Sequence, residues 1–580
     1  MKKTAAWLAK YALEQVGVKY TFGIPGVHNT ELYDELNNSD LITPFLVMHE
    51  GHGGFMADAI SRTTDSIGAM VIVPAAGVTH AASGIAEAFL DGIPMLVISG
   101  GIRNDSKFNY QLHQLDQLKL VEGITKAAFR VDSHEQVIET IYKAYNIAIS
   151  GEPGPVFVEI PVNLQLDKAQ ITEIKPYQAP QQQALTTDII EQIKAAATLL
   201  VAADNPVIFA GWGAIKASNS LVSIAEQVGA AVSTTLQGIS AFPANHPLHA
   251  GFSFGPAAAP AAQNAFAKAD CVLAIGTRFA EIATGSFGGT LPENLIHIDI
   301  NPDVFDCNYK TKLAITGDAN QVCAKLSEEL KKINSLSHQN NSALSKQLAQ
   351  DKQAHRQDWY NHDSKDRVNP ALYFDELRKQ ISDDAFVIVD DGNHTFLTAE
   401  LMPIHKTSGF ISPTDFNCMG YAVPAAIATK LAAPDKEVVA VVGDGAFMMT
   451  CMELATAVAN NIGCIIGVFN DGELSQISQA QQIPYNRKTC TVLPQTKLQG
   501  IATATGAEYI RIQGNDDIEA GIYKARELSA DNKPVILDIN IDYSKPTSFT
   551  LGIVKTNLKR MPLPTKVRMV GRAIYRKITD

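Results

Sequence analysis

Basic residues, cysteine, tryptophan and long apolar runs are all scarce in this chain, and each shortage narrows its function. Lys and Arg number 48 against 60 Asp and Glu, a net charge of −12. That balance argues against a general nucleic-acid role, which needs a basic footprint. The seven cysteines are scattered between Cys271 and Cys490 without a Cys-x-x-Cys. An odd, dispersed set in a large chain implies reduced thiols, a cytoplasmic setting and no zinc site. The most apolar stretch, residues 67–102, contains His80, Glu87 and Asp91 and is broken by glycines, so no membrane span is expected. The start carries Lys2 and Lys3 but neither a long apolar core nor a small-residue cleavage site. It reads as an amphipathic first helix rather than a signal peptide.

What is present is the composition of a soluble globular protein, 46% hydrophobic and 19% charged over 580 residues, enough for roughly three or four domains. Short Val/Ile-rich runs alternate with helical stretches, predicting an α/β fold of doubly wound parallel sheets. A Pro-Val strand recurs at Pro155-Val156, Pro206-Val207 and Pro534-Val535. Polar stretches at residues 163–187 and 334–369, containing QQQ and SHQNNS, read as linkers. The expected units are residues 1–180, 188–333 and 370–543, with a tail at 544–580. The first and third echo each other. Residues 69–77 parallel 438–445; each run enters a helix bearing one acid (Glu87, Glu453) and returns in a buried strand. Such an echo suits a cofactor held between two related domains, although all parallel sheets share this look.

The densest chemical signal is Gly443-Asp444-Gly445-Ala446, followed after a helix and a strand by Asn470-Asp471-Gly472. These turns cap adjacent strands, so they meet in space. The Asp444 carboxylate, the Asn470 amide oxygen and the Gly472 carbonyl supply hard oxygens of the kind Mg²⁺ accepts alongside phosphate and water. The glycines let backbone close on phosphate where a helix begins.

This arrangement resembles the diphosphate-and-metal motif of thiamine-diphosphate (ThDP) enzymes. His49-Glu50 with Met56-Ala57-Asp58 is similar to the His-Glu-x-x-Ala-x-x-Met-Ala-Asp pattern of the ThDP decarboxylase and acetolactate synthase superfamily, with Gly53 in place of its Ala. Phe22-Gly23-Ile24-Pro25-Gly26, Gly77-Val78-Thr79-His80, Thr234 to Gly238, Ala274 to Phe279 and His297 to Ile300 also resemble it. The resemblance implies a pyrimidine-binding first unit, a central unit and a diphosphate-binding third unit. It implies Glu50 as the proton relay to the aminopyrimidine, Met419 beside Gly420 as the bulky residue that bends the cofactor, and Gly392-Asn393-His394 as a turn touching diphosphate. His80, His113 and Gln114 are candidate catalytic residues; His113 and Gln114 could face the substrate carbonyl as proton donors, against a polar helix start. ThDP and Mg²⁺ are the implied cofactors. The central unit binds FAD or an adenine nucleotide in some relatives, but Gly251-Phe252-Ser253-Phe254-Gly255 departs from the flavin-binding loop.

The implied chemistry is decarboxylation of a 2-oxo acid with transfer of the acyl-anion equivalent to a carbonyl acceptor. Biosynthetic acetohydroxyacid synthases place a tryptophan about ten residues past the metal-binding Asn; here Gln479 lies near that place, and the tryptophans are Trp7, Trp212 and Trp359. That departure argues against the biosynthetic enzyme. A 2-hydroxyacyl-CoA lyase, a pyruvate oxidase-like enzyme and a non-catalytic ThDP-binding regulator are the alternatives. The family's assembly implies a homodimer or homotetramer with active sites shared between chains. The basic tail, with Val567, Val570, Ile574 and Ile578 at roughly helical spacing, reads as a lid, a subunit contact or a peripheral membrane contact.

Overall fold

The computed structural model describes residues 1–181, 184–333 and 341–579. Three six-stranded sheets dominate it. The first comprises β1 (Tyr20–Gly23), β2 (Thr43–Leu46), β3 (Gly68–Ile72), β4 (Met95–Gly101), β5 (Ala127–Arg130) and β6 (Pro155–Pro161). The central sheet comprises β7 (Pro206–Ala210), β8 (Ala231–Thr234), β9 (His249–Phe252), β10 (Cys271–Ile275), β11 (Asn294–Asp299) and β12 (Leu313–Thr316). The third comprises β13 (Phe386–Val389), β14 (Phe410–Ile411), β15 (Val438–Gly443), β16 (Ile465–Phe469), β17 (Glu508–Ile512) and β18 (Val535–Ile539). Pairing is parallel throughout all three.

The spatial orders are β2-β1-β3-β4-β6-β5, β9-β8-β7-β10-β11-β12 and β14-β13-β15-β16-β18-β17. The first and third sheets therefore share one topology, which makes the echo between their sequences structural. The central order is that of a doubly wound nucleotide fold. Strands such as β3, β4 and β18 are buried along their whole length, as expected where helices cover both faces of a parallel sheet.

The helices that matter to the site are α1 (Glu50–Thr63), α2 (Ala76–Asp91), α3 (Asn341–Tyr360), α4 (Asn393–Leu401), α5 (Ala422–Ala432), α6 (Asp444–Thr450) and α7 (Ser475–Tyr485), with α8 (Ser548–Arg560) and α9 (Leu563–Thr579) in the tail. α1 and α2 cross at glycines: a Cβ on Gly54 would stand 2.7 Å from the Gly84 Cα. α1 also packs on α5, joining the first and third units. The joint is reciprocal. Met48 N–H donates to Glu453 Oε2 at 3.0 Å, and Cys418 N–H donates to Glu87 Oε2 at 3.0 Å. The two acids that marked the sequence echo thus exchange equivalent contacts. Beside them Arg62, fully enclosed, donates to Asp58 at 2.6 Å and to Asp91 at 2.8 Å; losing one partner of such a buried pair costs about 3–5 kcal/mol.

The second expected linker is corrected. Residues 334–340 lie outside the described residues, but α3 occupies most of the remainder. It is polar almost throughout, so hydrophobic periodicity could not reveal it. It is held by Leu348 and by Trp359, 1% exposed, whose indole N–H donates to Glu400 at 3.2 Å. The first linker holds a short helix and a ribbon pairing Ala169–Gln170 with Lys2–Lys3, then runs irregularly; Gln182 and Gln183 lie outside the described residues.

Candidate active site

At the C-terminal edge of the third sheet, β15 delivers Gly443 and α6 begins at Asp444. Asp444 Oδ1 accepts from its neighbour Gly445 N–H and Oδ2 from Gly472 N–H, both at 2.8 Å. One carboxylate therefore ties the two turns together. Gly472 takes φ +80°, a conformation that favours glycine. Its carbonyl accepts from Leu493 N–H at 2.9 Å, which leaves one lone pair. Asn470 spends its amide N–H on Asp538 at 3.0 Å, leaving Oδ1 as the end available to a cation. Asp471 accepts from the Ser475 hydroxyl through one oxygen, and its other oxygen is buried without a partner.

Burial pushes the Asp444 carboxyl up to about 6, and the neighbouring Asp471 adds to the effect. Burial likewise raises Asp471. Two enclosed carboxylates within each other's field, one with an orphaned oxygen, form a site short of positive charge. Among the described residues no group of three or more His, Cys, Asp or Glu side chains is placed to hold a metal. A mixed set of one carboxylate, one amide and one carbonyl fits Mg²⁺, which keeps few protein ligands. A cavity of about 570 Å³ opens beside the turn, lined among others by Asp471, Glu473, Ser475, Gln479 and Tyr543.

The 390–394 turn buttresses this loop. His394 is wholly buried and its Nε2 accepts from Gly443 N–H at 3.3 Å; burial drives it down to about 3, so it is neutral. A Cβ on Gly392, at φ +149°, would lie 2.6 Å from the imidazole. His394 therefore props the Gly443 turn from behind, while Asn393 donates to Gln479 at 3.2 Å. Asp390, which the sequence reading missed, accepts from Gly420 N–H at 2.8 Å and Ala422 N–H at 2.7 Å. It is enclosed, and burial raises its carboxyl to about 7. Its position at the end of a strand was the available signal. It fixes the half-buried Met419 and presses Gly420 (φ +89°) against α6, where a Cβ would be 2.8 Å from Thr450 Cγ2. Ala446 is buried in the first turn of α6.

In the first unit Glu50 opens α1, 5% exposed, with Oε2 3.0 Å from His80 Nδ1. Gly77 leaves room for the carboxylate: a Cβ there would stand 3.4 Å from Glu50 Oε1. His49 stacks on His80 at 4.7 Å and accepts from Gly51 N–H at 3.1 Å. His52 meets Glu453 at 2.6 Å. His113 lies 5.2 Å from the ring of His28, which the sequence reading passed over. Gln114 is exposed and accepts from Gln111 N–H at 2.9 Å, within its own loop. Among the described residues no hydrogen bond or ion pair joins Glu50, His80 or His113 to the Gly443 and Asn470 turns. Met48 and His52 are bound to Glu453, which lies beyond the far end of α6 from Asp444.

The chain matches the Thiamine pyrophosphate enzyme N-terminal TPP binding domain over residues 2–120, its central domain over 193–326 and its C-terminal TPP binding domain over 390–539. The chain belongs to the thiamine pyrophosphate enzymes. It is 30% identical over 552 residues to the acetolactate synthase large subunit of Corynebacterium glutamicum, covering 93% of this chain and 86% of that protein. It is 30% identical over 542 residues to the acetolactate synthase isozyme 3 large subunit of Escherichia coli, covering 91% and 93%. It is 31% identical over 546 residues to the probable acetolactate synthase large subunit of Methanocaldococcus jannaschii, covering 92% and 90%.

In this thiamine pyrophosphate enzyme the central unit spends its distinctive side chains on packing. Phe254 lies 5.0 Å from Phe209 and 5.5 Å from Phe266, and Phe252 lies 5.3 Å from Phe549 of α8. Arg278 pairs with Glu152 at 2.9 Å and with Asp415, linking all three units. In the tail, Arg572 donates to Pro484 O at 3.1 Å and Arg576 to Tyr485 O at 3.0 Å, docking α9 on the C-terminal end of α7. Val567, Val570, Ile574 and Ile578 of α9 remain exposed. No described helix is long and apolar enough to cross a membrane.

Proposed function

We propose that this chain catalyses Mg²⁺- and ThDP-dependent decarboxylation of a 2-oxo acid and joins the resulting acyl unit to a carbonyl acceptor, as an acetolactate synthase-type carboligase. The observation that carries this is the Asp444 bridge between the two turns, a charge-deficient cradle whose donor set suits Mg²⁺ and a diphosphate. The names of the relatives agree with it.

When bound, ThDP supplies the carbon nucleophile and the electron sink. The protein's part is to hold, orient and shield. Asp444, Asn470 and the Gly472 carbonyl would hold the cation, and the Ala446 N–H, in the first turn of α6, would face the diphosphate. Met419, held by Asp390 through Gly420, would support the bent cofactor. Glu50 would exchange a proton with the aminopyrimidine, and His80, whose side chain is 52% exposed, connects that carboxylate to solvent. Since no hydrogen bond or ion pair among the described residues joins Glu50 to the Asp444 turn within a chain, each complete site would take Glu50 from one copy and Asp444 from another. The first unit's open apolar rim, including Val27, Phe108, Tyr110 and Leu112, favours such an assembly.

Gln479 in place of a tryptophan bears on acceptor choice, because it sits between Asn393 and Tyr543; the relatives' names lend nothing to excluding the biosynthetic enzyme. The commitment of Arg278 to ion pairs counts against a CoA lyase. Docking of α9 on α7, which starts just past Gly472, favours the lid among the three readings of the tail. The test is a panel of 2-oxo acids, paired with carbonyl acceptors, and of 2-hydroxyacyl-CoAs, with ThDP and Mg²⁺ and products identified by mass spectrometry. Acetohydroxy acid products support the proposal; turnover of acyl-CoAs alone refutes it.

A further inference from the structure

His28 and His113 occupy the same edge of the first sheet as Glu50. His28 follows β1 and lies against Gly100 at the end of β4, where a Cβ would be 2.1 Å from the His28 carbonyl. That carbonyl is also fixed by Gln165 Nε2 at 2.9 Å. His113 stands on the loop after β4 at φ +66°, an uncommon conformation for a residue other than glycine. The rings are tilted at 49° with centroids 5.2 Å apart. In each ring Nδ1 is buried and has no partner, whereas each residue as a whole is only half-buried. Nε2 is therefore the nitrogen each ring turns outward.

This asymmetry sets the tautomer. A buried N–H with no acceptor is among the rarest arrangements in native proteins, so the proton belongs on Nε2 and Nδ1 is bare. Burial, with His113 alongside, holds His28 below the ordinary imidazole value. Two imidazolium ions this close would also repel. The rings thus present two Nε2–H donors, with His28 biased toward its neutral form, from neighbouring loops of a scaffold that also carries Glu50. Neutral imidazole N–H groups polarise a carbonyl without surrendering a proton to a carbon nucleophile.

We propose that His28 and His113 act together as Nε2–H donors that grip the carbonyl oxygen of the 2-oxo acid. This assigns His28 a catalytic role, and it rests on the function proposed above. Gln114, turned into its own loop, takes no part.

The experiment uses the ThDP- and Mg²⁺-loaded enzyme and the most rapidly consumed member of the 2-oxo acid panel. His28→Phe and His113→Phe should each lower kcat by about 10²–10³-fold, as loss of one preorganised donor does, with ThDP affinity by calorimetry unchanged. His28→Gln, whose amide N–H can stand near Nε2, should recover to within about tenfold of wild type. The wild-type rate should not fall as pH rises through the ordinary histidine range, because no imidazolium is needed. Full activity in either Phe variant would overturn the proposal. So would a falling limb near pH 6–7 that His28→Gln abolishes. A wild type inactive on every 2-oxo acid would instead refute the proposed function, and this assignment with it.

Discussion

Asp444→Asn should separate the two consequences of the Asp444 bridge. In the cofactor-free protein this carboxyl is raised from 3.8 to about 6, chiefly by burial. The folded state therefore holds a proton there between those values while the unfolded chain has released it. Native protein binds more protons in that window, so stability contributed by this group falls as pH rises from about 4 to 6. Converted at about 1.4 kcal/mol per pH unit, the charged carboxylate costs the cofactor-free fold up to ~3 kcal/mol at neutral pH. Asn keeps the shape and one acceptor oxygen without the charge, but its amide nitrogen faces one of the two glycine N–H groups that the carboxylate accepts, which costs about 1–3 kcal/mol. The net gain is about 0–2 kcal/mol, so the variant at pH 7.5 without Mg²⁺ and ThDP should melt at or a few degrees above wild type, since a domain of this size gains roughly 2–4 °C per kcal/mol. At pH 5, about midway between the two values, roughly half of the charge cost remains, so the variant should lose about 1.4 kcal/mol relative to wild type between pH 7.5 and pH 5. With Mg²⁺ and ThDP the order should reverse, because the variant lacks the anionic ligand and only wild type gains stability from binding. Scanning fluorimetry at both pH values, with and without cofactor, reads all of this. An unchanged melting temperature together with wild-type cofactor affinity by calorimetry would remove Asp444 from the site.

Four further outcomes are expected. Glu50→Gln should bind ThDP normally but slow proton–deuterium exchange at its reactive carbon, followed by NMR, by about 10²–10⁴-fold; unchanged exchange would end that assignment. Co-expressing Glu50→Gln with Asp444→Ala, each inactive, should restore activity in purified mixed dimers, since one site then receives both intact residues; no recovery would place each site within one chain. Gly54→Leu should lower stability enough to reduce soluble yield, because even its Cβ would meet Gly84 backbone at 2.7 Å; a wild-type melting profile would contradict the tight helix crossing. The double variant Arg572→Ala, Arg576→Ala should release α9 from α7 and speed proteolysis beyond residue 561 in a timed digest. If activity also falls, α9 is a lid; unaltered kinetics would favour the other readings of the tail.

Features carried by neighbouring residues were legible without coordinates. Alternating strands and helices announced parallel sheets, because burial on both faces requires continuous apolar strands. Gly443-Asp444-Gly445 and Asn470-Asp471-Gly472 could be placed together because adjacent parallel strands end at one edge. Glu50 stood out through its motif. α3 was hidden, since a helix anchored chiefly by Trp359 and Leu348 leaves no amphipathic period. Asp390 was hidden because its task, accepting the N–H groups of Gly420 and Ala422, concerns residues about thirty positions away. His28 and His113 are 85 positions apart and meet only because β1 and β4 end at the same edge of one sheet. The reciprocal bonds of Glu87 and Glu453 arise only when two like domains face each other. Local pattern determined which elements form and which polar turns meet at one edge of the third sheet. The pairing of distant polar groups depended on how those elements pack, because burial decides which charges and ring nitrogens lose water and must find partners.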